Sequence, residues 1–153
     1  MINIYTYETI LGYITLYEEF GLLTKLCFGK FEHSSHQETY NETPILKQAH
    51  CELDEYFRKK RTSFDVKFNL KGTHFQKSVW NELLKIPYGQ TRSYCDIARN
   101  IENPFAYRAV GLANNKNPLP IFIPCHRVIS KNGNLTGYRD GLKLKEFLLN
   151  LEK

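Results

Sequence analysis

The spacing of apolar and polar residues changes character twice along the first part of the chain. Polar and apolar residues alternate over 13–17, Gly21 marks a turn, and residues 22–28 are again rich in β-forming types. We therefore predict a β-hairpin over residues 10–28. Residues 31–43 are polar and are predicted to form a loop.

A helical spacing follows. Thr43 is a plausible N-cap with Pro44 at the first helical position, and the predicted helix ends at the basic run 58–61. Apolar residues then alternate strictly over 64–70, which predicts a strand. The first half of the chain therefore has an α+β pattern, and it is assigned to a domain of residues 1–70.

The second half begins at Lys71-Gly72 and is mostly helical. Thr73 and Gln76 have the spacing of a capping box at the start of a helix. Another helix is predicted at the end of the chain, so the domain predicted for residues 71–153 has a helix at each end.

Between the first and the last helix of this domain, the sequence predicts two short helices joined by a tight turn at Glu102-Asn103. The first covers roughly 93–100, and the second is capped by Asn103 and runs to about 114. This outline is typical of a helix-turn-helix. Asn132-Gly133 predicts a hairpin that resembles the wing of a winged helix.

Charge is distributed unevenly between the halves. Residues 1–70 contain 8 Lys and Arg against 10 Asp and Glu, whereas residues 71–153 contain 13 against 6, a balance of +7. Such a bias is compatible with nucleic-acid binding, because cations displace counterions from phosphates. Neither a membrane-length apolar run nor a secretory leader is recognisable, so the expected location is cytoplasmic.

One of the four cysteines has neighbours that suggest reactivity. His126 and Arg127 directly follow Cys125, and a base or cation near a thiol favours the nucleophilic thiolate. A structural Cys-His pair and a zinc site are the alternatives, but the spacing to Cys95 matches no common zinc pattern. The other histidines, His33 among them, are interpreted as structural or surface residues.

Ordered motifs on both sides of Cys125 carry a family resemblance. They are Gly72-Thr73-His74-Phe75-Gln76, Ile86-Pro87-Tyr88-Gly89-Gln90-Thr91, Ser93-Tyr94, Arg108-Ala109-Val110-Gly111, Asn117-Pro118, Pro124-Cys125-His126-Arg127-Val128 and Gly137-Tyr138. Together they resemble the O6-alkylguanine-DNA alkyltransferases, closely over residues 70–153. The resemblance implies an α+β protein, with a small RNase H-like α/β domain followed by a mostly helical winged helix-turn-helix domain.

The resemblance implies a catalytic set around the cysteine. Cys125 would accept the alkyl group, His126 would act as its base through a water, and Glu152 would orient that histidine. Tyr94 would donate a hydrogen bond to N3 of the leaving guanine. Asn117 would support the turn that carries the cysteine. Neither a cofactor nor a metal is implied.

The resemblance also implies DNA and substrate contacts. Arg108 would enter the base stack in place of the flipped nucleotide, on a helix lying in the minor groove. Its companions in DNA binding would be Ser93, Ala106, Tyr107 and Ala109. Val128, Tyr138 and Arg139 would line the substrate pocket.

Four positions depart from the family pattern. Arg139-Asp140 and Tyr107 stand where smaller residues are usual, and Glu102 replaces a frequent glycine. We expect Arg139 and Asp140 to narrow the pocket, so that bulky alkyl groups react slowly relative to methyl.

The implied function is direct-reversal DNA repair. A monomer would transfer the alkyl group of O6-methylguanine, and of O4-methylthymine, from duplex DNA to Cys125 once and irreversibly, after base flipping. Two alternatives stay open. One is a silent alkyltransferase-like protein that only binds lesions, but those relatives lack the cysteine. The other is a Cys-His hydrolase, which would turn over repeatedly.

Overall fold

The predicted hairpin is confirmed as strands β2 (Gly12–Glu19) and β3 (Leu22–Phe28), which pair antiparallel. Two further strands were missed by the sequence analysis. They are β1 (Ile2–Thr9), antiparallel to β2, and the short β4 (Glu38–Tyr40), which pairs parallel to β1 inside the segment predicted as a loop. The sheet order is β3-β2-β1-β4.

The computed structural model describes residues 1–32 and 35–153, so His33 lies outside the described residues. Contacts within the chain group it into two units, Met1–Leu70 and Lys71–Lys153. No helix in the described ranges is both long and apolar enough to cross a membrane.

In the first unit, helix α1 (Pro44–Phe57) packs against the sheet. Thr43 occupies the predicted N-cap position, although its side chain makes no capping hydrogen bond. The core joins apolar residues of the sheet to one face of the helix, namely Ile4, Ile14, Leu16, Leu23, Leu26, Leu46, Ala49, Leu53 and Tyr56. Apolar burial of this kind is the main force that holds a helix on a sheet.

The strand predicted over residues 64–70 is wrong. This segment makes only one isolated bridge, between Phe68 and Leu23. The N–H groups of Asp65 (2.8 Å) and Val66 (3.1 Å) donate to Oε1 of the buried Glu52 instead of to the carbonyls of a neighbouring strand. The segment therefore alternates between more buried apolar residues and exposed polar residues, as a strand does, but forms no β-ladder with another strand.

The second unit begins with helix α2 (His74–Leu83), whose predicted capping box between Thr73 and Gln76 is confirmed. Trp80 is buried in this unit, and its Nε1 donates to the carbonyl of Ala113 at 2.9 Å. A Cβ at Gly72 would lie 2.6 Å from the indole ring, so only glycine fits there.

The helix-turn-helix consists of α3 (Tyr94–Asn100) and α4 (Tyr107–Asn115). The predicted cap at Asn103 is wrong, since α4 starts four residues later. The Asn103 N–H instead donates to Ala98 and the Glu102 N–H to Arg99, with Glu102 at φ 61°. This is a Schellman closure of α3, in which Glu102 stands where glycine is favoured.

The predicted wing hairpin is also wrong. Strand β6 (Val128–Ile129) follows a single 3₁₀ turn (Cys125–Arg127) and pairs parallel with β5 (Arg92–Ser93). Asn132-Gly133 does form a turn, closed by the Gly133 N–H donating to Ser130, but no strand follows it. The second unit ends with helix α5 (Leu142–Leu151).

The Glu52 contacts generate a stability prediction. Glu52→Ala leaves two backbone N–H groups without their carboxylate partner, so we expect the free energy of unfolding to fall by about 2–3 kcal/mol. Urea unfolding followed by circular dichroism measures this.

Glu55→Ala on the same helix is the matched control. Glu55 is half-exposed and pairs with Arg61 at 3.2 Å, so its loss should cost less than about 1 kcal/mol. Equal destabilisation by the two variants would contradict the role assigned to Glu52.

Candidate active site

The cysteine sits on a tight turn that two amides hold. Pro124 has φ −79° and ψ 65°, and the Cys125 N–H donates to the Ile123 carbonyl at 2.7 Å, which is an inverse γ-turn. Asn117 Nδ2 donates to the same Ile123 carbonyl (2.8 Å), and Asn114 Nδ2 donates to the carbonyl of Cys125 (3.2 Å). Because proline fixes φ, the turn presents Cys125 on a defined backbone.

Backbone strain accompanies this turn. Ile121 is buried and has φ 77°, a region that β-branched residues rarely adopt. Such strain persists only where surrounding structure enforces it. Here the Ile123 N–H donates to Leu119, and Leu119 in turn donates its own N–H to Asn117 Oδ1.

A buried carboxylate connects the two residues that follow Cys125. Glu152 Oε2 lies 2.8 Å from His126 Nε2, and Arg127 donates through Nε to Oε1 (2.8 Å) and through Nη2 to Oε2 (2.9 Å). The Gly89 N–H also donates to Oε1 at 3.3 Å. All three side chains are buried, and the ionic partners Arg127 and Glu152 balance each other.

This arrangement selects the tautomer of the histidine. A carboxylate that accepts from Arg127 is ionised, so it accepts a proton-bearing Nε2 from His126. Burial lowers the pKa of His126, outweighing the opposing effect of Glu152, so the imidazole is neutral at pH 7. Its Nδ1 then carries the free lone pair, and Nδ1 has no hydrogen-bond partner among the described residues.

The expected position of the Arg127 guanidinium is wrong. It points to Glu152 and donates through Nη1 to the Ile86 carbonyl (2.7 Å) rather than lying beside the thiol. The cations that do lower the pKa of Cys125 are Arg139 and Lys145. Sequence adjacency misled here, because successive residues of a tight turn point in different directions.

Burial dominates the state of the thiol. Cys125 is 5% exposed, and burial raises the pKa of its thiol despite the opposing hydrogen bonds and cations around it. A small cavity of about 10 Å³ borders it, lined by Asn114, Asn115, Asn117, Cys125, Tyr138, Arg139 and Asp140. That is room for about one water, so a nucleobase requires this cavity to open.

Arg139 spans this cavity. Its Nη1 donates to the carbonyls of Asn117 (3.0 Å) and Asn115 (3.4 Å), and its Nη2 lies 3.4 Å from Asp140 Oδ2. The Tyr138 hydroxyl is buried near Cys125, and burial, followed by the charge of Cys125, raises the pKa of Tyr138.

Val128, the other predicted pocket residue, does not line the cavity. It is fully buried on β6, and its carbonyl accepts from Lys145 Nζ.

Tyr94 lies between two glycines. Its hydroxyl donates to the Thr136 carbonyl at 3.2 Å, and Cβ atoms at Gly111 and Gly137 would lie 3.8 Å and 3.7 Å from its side chain. Burial raises the pKa of Tyr94, and Cys125 adds to that effect. The phenol is therefore protonated at neutral pH and able to donate.

Lys145 was not predicted as a site residue. This lysine is fully buried, and its Nζ donates to the carbonyls of Val128 (2.5 Å) and Thr136 (2.9 Å). Burial lowers its pKa to about 8, while Cys125 opposes that shift. A signal was available, because Lys145, Leu148 and Glu152 share the spacing of one buried helical face.

The predicted DNA-contact residues lie on the helix-turn-helix. Ser93 caps α3 and accepts from the Asp96 N–H, and Ala106 is the N-cap of α4. Tyr107, Arg108 and Ala109 form the exposed first turn of α4, with the Arg108 guanidinium 5.9 Å from the Tyr107 ring centre. They form a set separate from the buried residues around Cys125.

Within residues 1–32 and 35–153, no group of three or more His, Cys, Asp and Glu side chains is placed to hold an ion. Cys125 and His126 instead belong to the hydrogen-bonded network described above.

Both halves of the chain match one protein family. Residues 74–153 match the DNA binding domain of 6-O-methylguanine DNA methyltransferase, and residues 3–70 match the ribonuclease-like domain of the same family. The methylated-DNA–protein-cysteine methyltransferase of Methanosarcina acetivorans is 61% identical over 108 residues, covering 71% of this chain and 69% of that protein.

Two further relatives each cover nearly all of the chain. The constitutive methylated-DNA–protein-cysteine methyltransferase of Bacillus subtilis is 46% identical over 97% of this chain and 93% of its own length. The crystal structure of Mycobacterium tuberculosis OGT in complex with DNA is 45% identical over 99% of this chain and 92% of that one, with a TM-score of 0.91. The predicted α+β fold is confirmed, and the chain belongs to the 6-O-methylguanine DNA methyltransferase family.

Proposed function

We propose that this protein repairs alkylated DNA by moving the alkyl group of O6-methylguanine, and of O4-methylthymine, onto Cys125. The observation that carries the proposal is the buried series Cys125, His126 and Glu152, in which a neutral imidazole with a free Nδ1 follows the thiol. Family membership and the methyltransferase names of the relatives support the same reaction.

The first step is deprotonation of the thiol. The proton passes from Cys125 Sγ to His126 Nδ1 through a water, and the resulting imidazolium is stabilised by Glu152. Burial raises the pKa of the resting thiol, so this base and the cations Arg139 and Lys145 would favour the thiolate.

The second step is an in-line displacement. Sγ forms a bond to the methyl carbon, the carbon–O6 bond breaks, and its electron pair goes to the guanine. The Tyr94 hydroxyl, which donates to Thr136 in this structure, would turn to donate to guanine N3. The thioether formed on Cys125 is a poor leaving group, so the protein reacts once.

The target base must leave the duplex before it can reach Cys125. Arg108, on the exposed first turn of α4, would occupy the vacated place in the stack, and the balance of +7 in residues 71–153 favours phosphate contacts. Ser93, Ala106, Tyr107 and Ala109 would contact the DNA around it. Action as a monomer in the cytoplasm stays a prediction.

The alternatives differ in observable ways. A silent lesion binder needs no nucleophile, whereas this chain has Cys125 directly before His126. A Cys-His hydrolase would release its product and turn over repeatedly, whereas a thioether stops the reaction at one equivalent.

The first test is intact-protein mass spectrometry after mixing with a duplex that contains O6-methylguanine. We expect one methyl group per protein, located on Cys125 by peptide mapping, and none on Cys125→Ala. Cys51→Ala is the control, because Cys51 is exposed and in the other unit. Multiple turnovers without a modified cysteine would contradict the proposal.

The second test addresses Glu152. In Glu152→Gln the imidazolium loses its counter-charge, so we expect methyl transfer to slow by about 10²–10⁴-fold. Arg127 is left buried without its ionic partner, so the free energy of unfolding should also fall, by about 3–5 kcal/mol.

Rates are therefore measured at a temperature below the midpoint of thermal unfolding of the variant, and circular dichroism checks that the variant is folded. Glu146→Gln is the control, since Glu146 is exposed on the same helix. Transfer at the wild-type rate by folded Glu152→Gln would remove Glu152 from the mechanism.

The third test concerns pocket size. Because Arg139 spans the cavity and Asp140 lines it, Arg139→Ser with Asp140→Gly should favour large substrates. We expect the ratio of the second-order rates on O6-benzylguanine and O6-methylguanine to rise about tenfold relative to wild type. Lys143→Ser, an exposed neighbour, is the control, and an unchanged ratio in the double variant would show that these residues do not limit alkyl size.

A further inference from the structure

Phe105 is the most exposed large apolar side chain in the described part of the protein, at 91%. It directly precedes Ala106, the N-cap of α4, and lies three residues before Arg108. Single exposed apolar residues are common and need no explanation by themselves. The hydrogen-bonded backbone around Phe105 and its position three residues before Arg108 are what point to a ligand.

The backbone that carries Phe105 is fixed at both ends. The Asn103 N–H donates to Ala98 at 2.9 Å, and the Ala106 N–H donates to Asn103 at 3.0 Å. Pro104 restricts the backbone between them. The ring therefore projects to solvent from a hydrogen-bonded turn rather than from a mobile loop.

The turn that carries Phe105 cannot contribute to DNA binding by neutralising phosphate charge. Residues 102–105 contain the acidic Glu102 and no lysine or arginine, although the unit as a whole is strongly basic. Cations elsewhere in the unit draw the DNA backbone in. What Phe105 adds is an exposed apolar surface three residues before Arg108, and minor-groove proteins use such side chains as wedges against base steps.

We propose that Phe105 is an apolar wedge that presses on the base step next to the flipped nucleotide and holds it partly unstacked. Arg108 would fill the vacated place while Phe105 supports the adjacent step. This inference rests on the proposed function, because it takes duplex DNA as the ligand of α4. It adds a flipping residue whose contribution is independent of charge.

The experiment uses the full chain and a duplex that contains O6-methylguanine and accommodates a single protein molecule. A fluorescent adenine analogue beside the lesion reports unstacking, and anisotropy gives the affinity. For Phe105→Ala we expect about tenfold weaker binding and a smaller rise in emission, with Phe105→Leu close to wild type. The dependence of affinity on salt should be unchanged, whereas Arg108→Ala should reduce it.

Phe20→Ala is the matched control, because Phe20 is 88% exposed and lies in the other unit. The inference is overturned if Phe105→Ala binds and unstacks the duplex like wild type, or if Phe20→Ala weakens binding equally. It is also overturned if Phe105→Ala changes self-association without DNA, since that outcome assigns the ring to a protein contact. Methyl transfer by wild type in the same samples tests the proposed function separately.

Discussion

The second unit depends on the hydrogen bonds and the ion pair that the buried Glu152 carboxylate makes. The carboxylate binds both the imidazole of His126 and the guanidinium of Arg127, and it also accepts a hydrogen bond from the Gly89 N–H. One carboxylate thereby joins the end of α5 to the turn that carries Cys125. An ion pair of this kind contributes geometry more than net stability, because desolvation offsets much of its attraction.

That geometry decides the chemistry available to the thiol. Ionised by Arg127, Glu152 selects the tautomer that leaves His126 Nδ1 able to accept a proton. Lys145 adds a buried positive charge whose amine is held by two carbonyls. The resting site is nearly closed, and Arg139 lines the small cavity beside Cys125 while donating to the Asn117 carbonyl.

Local sequence patterns predicted most of the helices and the first hairpin, because capping residues and periodicity act over a few neighbouring positions. They failed where a distant group replaced the expected backbone partner. Glu52 takes the N–H groups of residues 65 and 66, so a strand-like alternation forms no ladder. Asn103 has the features of an N-cap, but its N–H closes the preceding helix instead.

By itself the sequence indicated the candidate residues, through the order of motifs around Cys125 and the uneven charge of the two halves, but Lys145 was not among them. Only the tertiary structure decided how they are connected. It brought Glu152 to His126 across 26 positions, turned Arg127 away from the thiol and buried Lys145. The physical reason is that pKa values and tautomers depend on burial and on partners from distant elements, which local spacing does not encode.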